Sequence, residues 1–142
     1  MILTDVNVLV YAFRKDAENH QAYNTWLQNV VDSNSQYALS DLALSGMLRI
    51  VTHPRIFKEP STIDECLAFV NQIKNQPNCT MLLPGNRHWA IFTSLLQSVN
   101  AIGNLIPDAW FAALAIEHGC EWISTDHDFS RFDGLNWRHP LK

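Results

Sequence analysis

Short apolar segments alternate along this chain with longer segments in which apolar residues recur at helical spacing. The short segments are typical of strands buried on both faces, and the longer ones of helices that pack one face against a sheet. After a first strand that begins at residue 2, strand patterns cover residues 37–39, 79–83 and 121–124, and helical patterns cover residues 18–31, 41–51, 61–73, 88–99 and 107–118. This alternation predicts an α/β fold, a three-layer α/β/α sandwich with a mainly parallel sheet.

The first apolar segment contains a carboxylate. Residues 2–13 are almost continuously apolar and are interrupted only by Thr4, Asp5 and Asn7. We expect a buried strand to begin here and to end at Asp5. An ionised group in so apolar a segment must be paired or bound to a metal. Asp5 is therefore the first candidate site residue, and Asn7 is its candidate partner.

The length and the cysteines indicate a single cytoplasmic domain. The 142 residues contain no linker, repeat or low-complexity tract, so we expect one domain over residues 1–142. The three cysteines are widely spaced and match neither a zinc motif nor a disulfide framework. The start of the chain does not resemble a signal peptide, and no apolar run approaches the roughly 18 residues that span a bilayer. We expect a soluble cytoplasmic protein with no membrane contact.

The net charge leaves a nucleic-acid substrate possible without requiring one. A formal charge of −4 differs from the broad basic surface of a dedicated nucleic-acid binder. If acidic residues converge on bound cations, however, their site is no longer anionic. Arg49, His53 and Arg55, near the end of the helical pattern at 41–51, could then contact phosphates. Asn7, two residues after Asp5, is a further candidate for substrate binding.

Acidic residues from three separate segments are expected at one edge of the sheet. Asp5 ends the first strand, Asp108 opens a helix, and Asp126 follows the strand at 121–124, with Asp128 two residues further on. In sheets of this kind, ligands bind outside the carboxyl ends of the strands. A structural role is the alternative, since Asp108 could complement a helix dipole and Asp126 could cap a helix or form a turn.

Converging carboxylates favour metal-dependent chemistry. Carboxylates a few ångströms apart repel one another, so their pKa values rise or a counter-ion binds. Mg²⁺ and Mn²⁺ prefer such oxygen ligands, and on a phosphodiester they activate water and neutralise developing charge. The residues predict a metal-dependent nuclease in which Asp5, Asp108 and Asp126 bind the metal. Asp128 would bind it through water or orient the attacking water.

The order and spacing of four motifs resemble those of the PIN domain, and specifically of the VapC-like toxin ribonucleases of bacterial toxin–antitoxin pairs. The motifs are ILTDVNVLVY at 2–11, LRIVTHPR at 48–55, GNLIPDA at 103–109 and STDHDF at 124–129. The resemblance implies a Mg²⁺- or Mn²⁺-dependent endoribonuclease with a parallel sheet, a homodimer, and a cognate antitoxin that inserts its C-terminal segment near the active site. It also implies that Asp5, Asp108 and Asp126 bind metal and that Asp128 is an accessory acid.

The chain departs from the family at one position. Members often carry a glutamate in the helix after the second strand, whereas LALSGM at 42–47 contains no acid. Asp41 or Ser45 could fill that space, or the site binds one metal instead of two. The departure leaves open a degenerate PIN module that binds RNA or protein without cleaving RNA.

A phosphatase of the haloacid dehalogenase type is a further alternative, since it also has an aspartate at the end of its first strand. Such enzymes carry a second aspartate two residues later as a general acid, and here Asn7 occupies that position. The sequence therefore favours the nuclease.

Overall fold

The computed structural model describes all residues, 1–142, and contains five short strands and six α-helices. The strands are β1 (Ile2–Thr4), β2 (Tyr37–Leu39), β3 (Cys79–Met81), β4 (Glu121–Ile123) and β5 (Trp137–Arg138). The helices are α1 (Val6–Phe13), α2 (His20–Asp32), α3 (Asp41–Val51), α4 (Ile63–Lys74), α5 (His88–Val99) and α6 (Leu105–Glu117), and a 3₁₀ helix spans His127–Arg131.

The five strands form one parallel sheet in the order β3-β2-β1-β4-β5. From β1 the chain builds one side of the sheet with β2 and β3, and then crosses to the other side with β4 and β5. Strand order therefore reverses between β1 and β4. In open α/β sheets, the crevice outside the carboxyl ends of the strands at such a point is where ligands bind.

Two apolar cores cover the two faces of the sheet. On one face, Leu3 and Trp122 pack with residues of α5 and α6. On the other face, Leu39 and Ile123 pack with residues of α1, α2, α3 and α4. The predicted three-layer α/β/α sandwich with a parallel sheet is confirmed.

The apolar run at the start of the chain divides into a strand and a helix. β1 ends at Thr4, and α1 begins at Val6 with Asp5 as its N-cap. The sequence-based expectation placed Asp5 correctly at the end of the strand but did not include α1. Val8, Leu9 and Val10 are all buried, because α1 packs against α2 and α3 within the apolar core that these helices form on one face of the sheet.

The remaining boundaries are close to those expected. α5 matches the prediction, and α2 and α6 each begin two residues from the expected start. The strand expected over residues 79–83 is shorter, and β5 and the 3₁₀ helix were not predicted. All three cysteines are free. None of the helices has the length and apolarity needed to cross a bilayer.

The loop before α5 is held to the end of α6. The Glu117 carboxylate accepts hydrogen bonds from the backbone N–H groups of Gly85 (2.7 Å) and Arg87 (2.9 Å). Burial raises the pKa of Glu117, but these two N–H donors together with His118 and His88 outweigh it and hold the pKa below its ordinary value. A Cβ on Gly85 would lie only 2.7 Å from Oε2 of Glu117, so any side chain there displaces the carboxylate.

We expect Gly85→Ala to lower the free energy of unfolding by about 1–3 kcal/mol, because the buried carboxylate loses its hydrogen bonds. Chemical denaturation measures this change. In a Glu117→Ala background the same substitution should cost less than about 0.5 kcal/mol, since the carboxylate is already gone. An equal cost in both backgrounds would show that the Gly85–Glu117 contact does not hold the loop.

Candidate functional site

A cleft of about 440 Å³ opens at the carboxyl ends of β1 and β4, where the strand order reverses. Three of the acidic residues selected from the sequence line it, although Asp5 lies more than a hundred residues before the other two in the chain. The lining residues include Asp5, Asn7, Arg49, Asp108 and Asp126, with apolar or small residues such as Leu42, Gly46 and Phe111 between them.

Asp5 is fixed at the bottom of the cleft. Its residue is only 7% exposed. As the N-cap of α1, its Oδ1 accepts a hydrogen bond from the backbone N–H of Val6 at 2.7 Å. Its Oδ2 accepts from the Ser124 hydroxyl at 2.6 Å and from the Asn7 amide at 3.3 Å. The expected pairing of Asn7 with Asp5 is therefore present.

Ser124 connects the two strand ends and was not selected from the sequence. Its fully buried hydroxyl donates to Asp5 and accepts from the backbone N–H of Asp126 at 3.1 Å. The Asn7 amide also donates to this hydroxyl at 3.3 Å, and Oδ1 of Asn7 accepts from the Thr125 backbone N–H at 3.3 Å. These bonds fix the relative positions of the loops that carry Asp5 and Asp126.

The other acids reach the cleft from helix starts. Asp108 lies in the first turn of α6 and is half-buried. Asp126 caps the 3₁₀ helix, and its Oδ1 accepts from the backbone N–H of Asp128 at 2.9 Å. The capping role that the sequence suggested for Asp126 is thus present, and its side chain also lines the cleft. Asp128 itself is exposed and lies outside the cleft lining.

The carboxylates lie in one another's electric field. Burial raises the pKa of Asp5 to about 6, and the charge of Asp126 adds to this rise, whereas hydrogen bonds from Ser124 and Val6 oppose it. Burial also raises the pKa of Asp108 to about 6, and the charges of Asp5, Asp126 and Asp128 contribute. Neighbouring negative charges of this kind favour a bound cation.

The three candidate phosphate contacts do not lie together. Arg49, in the last turn of α3, lines the cleft. His53 and Arg55 follow the end of α3 and lie outside the lining, where the Arg55 backbone N–H donates to Nδ1 of His53 at 3.1 Å. Of the three, only Arg49 is placed to contact a phosphate in the cleft.

No acid occupies the α3 side of the cleft. The Asp41 carboxylate pairs with Lys74 at 3.2 Å, and Ser45 is exposed and outside the lining. Leu42 and Gly46 line this side, and a Cβ on Gly46 would lie 3.1 Å from a methyl group of Val6. Neither residue proposed to replace the missing glutamate lines the site.

The donor chemistry fits a hard divalent cation that keeps part of its water shell. No group of three or more His, Cys, Asp and Glu side chains is arranged as a ready-made metal site. Mg²⁺, however, binds proteins through one or two carboxylates and retains several waters. Asp5, Asp108 and Asp126 supply only carboxylate oxygens to a half-open cleft, which suits such an ion.

Comparisons with known proteins agree with this geometry. The PIN domain family model matches residues 2–135. The chain is 41% identical over 141 residues to Ribonuclease VapC43 of Mycobacterium tuberculosis, covering 99% of this chain and 96% of that protein. Its fold is similar to VapBC2 from Rickettsia felis bound to a promoter DNA fragment (TM-score 0.71, 18% identity, 98% of each chain). It is also similar to a toxin–antitoxin complex from Klebsiella pneumoniae (TM-score 0.61, 19% identity, 99% of this chain and 98% of that chain). The chain belongs to the PIN domain family.

Proposed function

We propose that this chain is an endoribonuclease that hydrolyses RNA phosphodiester bonds with Mg²⁺ or Mn²⁺ and acts as the toxin of a toxin–antitoxin pair. The observation that carries the proposal is that Asp5, Asp108 and Asp126 line one cleft at the point where strand order reverses. The charge of Asp126 adds to the rise in pKa of both Asp5 and Asp108. The identity of 41% with a protein named as a VapC ribonuclease supports it.

In this mechanism Asp5, Asp108 and Asp126 would hold the cation. A bound divalent cation supplies positive charge for the phosphodiester and lowers the pKa of an attacking water. Ser124 and Asn7 hold the Asp5 carboxylate in one orientation through their hydrogen bonds to Oδ2. Arg49 binds a phosphate oxygen, and Asp128 acts from the rim through a water, either as an indirect ligand or by orienting the attacking water.

The protein acts as one domain over residues 1–142, in the cytoplasm and as a homodimer, and an antitoxin protein inhibits it. The fold relatives include proteins solved as toxin–antitoxin complexes, which supports a partner of this kind. The homodimer, the cytoplasmic location and the limits of the domain are expectations from the family resemblance and the sequence.

A degenerate module that binds RNA or protein is the second candidate. The absence of a carboxylate from the α3 side of the cleft favours this candidate. Leu42 and Gly46 line that side, and Asp41 is paired with Lys74. With fewer carboxylates in the site, a cation has fewer ligands, and RNA could bind without being cleaved. The two candidates differ in whether the chain cleaves RNA when a divalent cation is added.

The deciding experiment incubates purified protein with a mixed pool of single-stranded RNA in Mg²⁺, in Mn²⁺ and in excess EDTA. We expect cleavage with either metal, no cleavage in EDTA, and recovery when metal is restored. RNA that binds but stays intact in every condition would favour the module. Cleavage that continues in EDTA would overturn the proposed use of a cation.

We expect Arg49→Ala to raise KM for RNA about tenfold with a smaller change in kcat, because the side chain binds a phosphate of the substrate. The variant should also have a weaker dependence of KM on salt concentration, since one fewer phosphate is neutralised. Lys15→Ala, an exposed cation outside the cleft, is the control. A loss that appears only in kcat, or equally in both variants, would exclude this role.

A further inference from the structure

A second, smaller cavity lies beside the carboxylate cleft. It has a volume of about 320 Å³, and its lining consists of Tyr11, Glu18, Asn19, Tyr23 and Thr125. Pockets that hold small organic groups begin at about 300 Å³. The cavity is therefore large enough for one flat ring system.

Thr125 and Asn7 separate this cavity from the cleft. Thr125 lines the cavity and directly precedes Asp126, and its backbone N–H donates to the Asn7 side chain at 3.3 Å. Tyr11 lies one turn beyond Asn7 on α1, so the two residues share a helix face. A nucleotide next to a phosphate bound in the cleft would therefore lie at the cavity.

Two tyrosines form an aromatic wall in the cavity. The ring centroids of Tyr11 and Tyr23 are 5.2 Å apart, and the rings are tilted by 49°. Tyr23 is buried and its ring also lies 6.4 Å from that of His139, while the Tyr11 carbonyl contacts Nδ1 of His20 at 2.9 Å. The Tyr23 ring is thus held in place before any ligand binds. Unpaired RNA bases stack on aromatic side chains of this kind.

Glu18 supplies the polar group that can distinguish one base from another. It is exposed, takes part in none of the four salt bridges, and lines the cavity. An ionised carboxylate only accepts hydrogen bonds. Burial raises the pKa of Tyr23, and the neighbouring Tyr11 and Glu18 add to this rise. The Tyr23 hydroxyl therefore remains protonated.

A carboxylate with two free oxygens matches one base best. The Watson–Crick edge of guanine presents two adjacent donors, the ring N–H and the exocyclic amino group. Adenine and cytosine place a ring acceptor beside their amino group, and uracil places two carbonyls around its single N–H. Each of these acceptors would face the carboxylate and repel it, so guanine is favoured.

We propose that this cavity is a recognition site for an unpaired guanine next to the scissile phosphate, with Glu18 accepting hydrogen bonds from its Watson–Crick edge and Tyr11 and Tyr23 contacting its ring. The proposal rests on the proposed RNA substrate and deepens it. It makes Glu18 a specificity-determining residue outside the carboxylate cleft.

The first test sequences the cut ends from a pool of short, randomised single-stranded RNAs. Wild type should prefer guanine at one position beside the cut by at least about fivefold. Glu18→Gln should lose this preference and keep its rate on sequences without guanine there. Glu59→Gln, which changes an exposed glutamate in a different pocket, should behave as wild type. Unchanged preference in Glu18→Gln, or an equal loss of rate on all sequences, would overturn the proposal.

A binding measurement separates this proposal from the proposed nuclease activity. Fluorescence anisotropy would compare two labelled pentanucleotides, with guanine or adenine at the centre, on Asp5→Asn protein, which should keep the RNA intact. We expect at least about fivefold tighter binding of the guanine oligonucleotide, and loss of this difference when Glu18→Gln is added. If wild type cleaves no RNA, the nuclease proposal fails and this binding difference alone decides. Equal affinities for both oligonucleotides would then exclude the guanine site.

Discussion

Replacing Asp5 with asparagine is expected to lower the rate of RNA cleavage by at least about a hundredfold. Removing only the hydrogen-bond partner of a metal ligand lowers metal affinity or activity about 10–100-fold, and removing a proposed ligand itself should cost more. Asparagine has nearly the same shape and keeps one oxygen to accept from the Val6 backbone N–H, so the N-cap of α1 can remain. The charge is lost, and with it the main attraction of the buried end of the cleft for a cation. Initial rates on a single RNA substrate at saturating Mg²⁺ measure the effect.

Asp32→Asn is the matched control for this substitution. Asp32 ends α2, whose connection leads into the start of β2, so it lies at the opposite edge of the sheet from the cleft. It is exposed and accepts hydrogen bonds only from Gln28. We expect wild-type rates from this variant. If Asp5→Asn retains cleavage, and circular dichroism shows that both variants are folded, then Asp5 has no role in catalysis.

The sheet and the position of its site could be predicted from local patterns. Buried parallel strands are short apolar runs, and ligands bind outside their carboxyl ends, so polar residues at these ends are candidates for a site. Asp5 and Asp126 were selected on that basis, and both line the cleft. The α1 helix could not be distinguished in this way. Seven of its eight residues are apolar and none is exposed, so this stretch is as continuously apolar as a buried strand.

Ser124 shows why part of the site was missed. The pairing of Thr4 with Ile123 in the parallel register of β1 and β4 places the next residues, Asp5 and Ser124, side by side. The Asp5 backbone N–H extends this ladder by donating to the Ile123 carbonyl at 2.9 Å. Strand register depends on how the two strands pair in the fold, so it cannot be predicted from the sequence of either segment alone. A serine at a strand end therefore carried no signal until its neighbour was known.

The three basic residues selected as candidate phosphate contacts separate in the structure for a similar reason. Arg49 is still within α3 and projects into the cleft, but the helix ends at Val51, two residues later. The turn that follows takes His53 and Arg55 away from the cleft and ties them to each other. Their closeness in sequence to Arg49 suggested a shared surface. Where the helix ends decides which of them lines the cleft.

The metal-free protein should become less stable as pH rises from about 4 to about 7, because Asp5 is harder to ionise in the folded chain than in the unfolded one. Its folded pKa is about 6 against a model value of 3.8, so the folded state binds the extra proton between these values and stability falls as that proton is lost. For this buried group the difference corresponds to about 3 kcal/mol. Asp108 shifts in the same direction and adds to the fall.

Other groups follow different windows. The pKa values of Asp16 and Glu117 are lowered, so their contributions are lost only as pH falls further, into the acid range. Burial, with the charges of Lys142 and His127, lowers the pKa of His139. This histidine therefore reduces stability as pH falls below the pKa that it has in the unfolded chain, which opposes the effect of Asp5. Asp5→Asn retains all three groups. The difference between the two pH profiles therefore isolates the contribution of Asp5, including the effect of its charge on Asp108.

Urea denaturation in EDTA from pH 4 to pH 7.5 measures both profiles. We expect the stability of wild type relative to Asp5→Asn to fall across this range by up to about 3 kcal/mol, whatever constant offset the substitution itself brings. Mg²⁺ should then stabilise wild type at pH 7.5, by about 2.7 kcal/mol at a hundred times its Kd, and much less at pH 5, where the protonated carboxylates bind it poorly. Asp5→Asn should gain little at either pH. Parallel pH profiles for the two proteins would mean that ionisation of Asp5 does not destabilise the metal-free protein. Equal stabilisation of both proteins by Mg²⁺ would mean that Asp5 does not bind the ion.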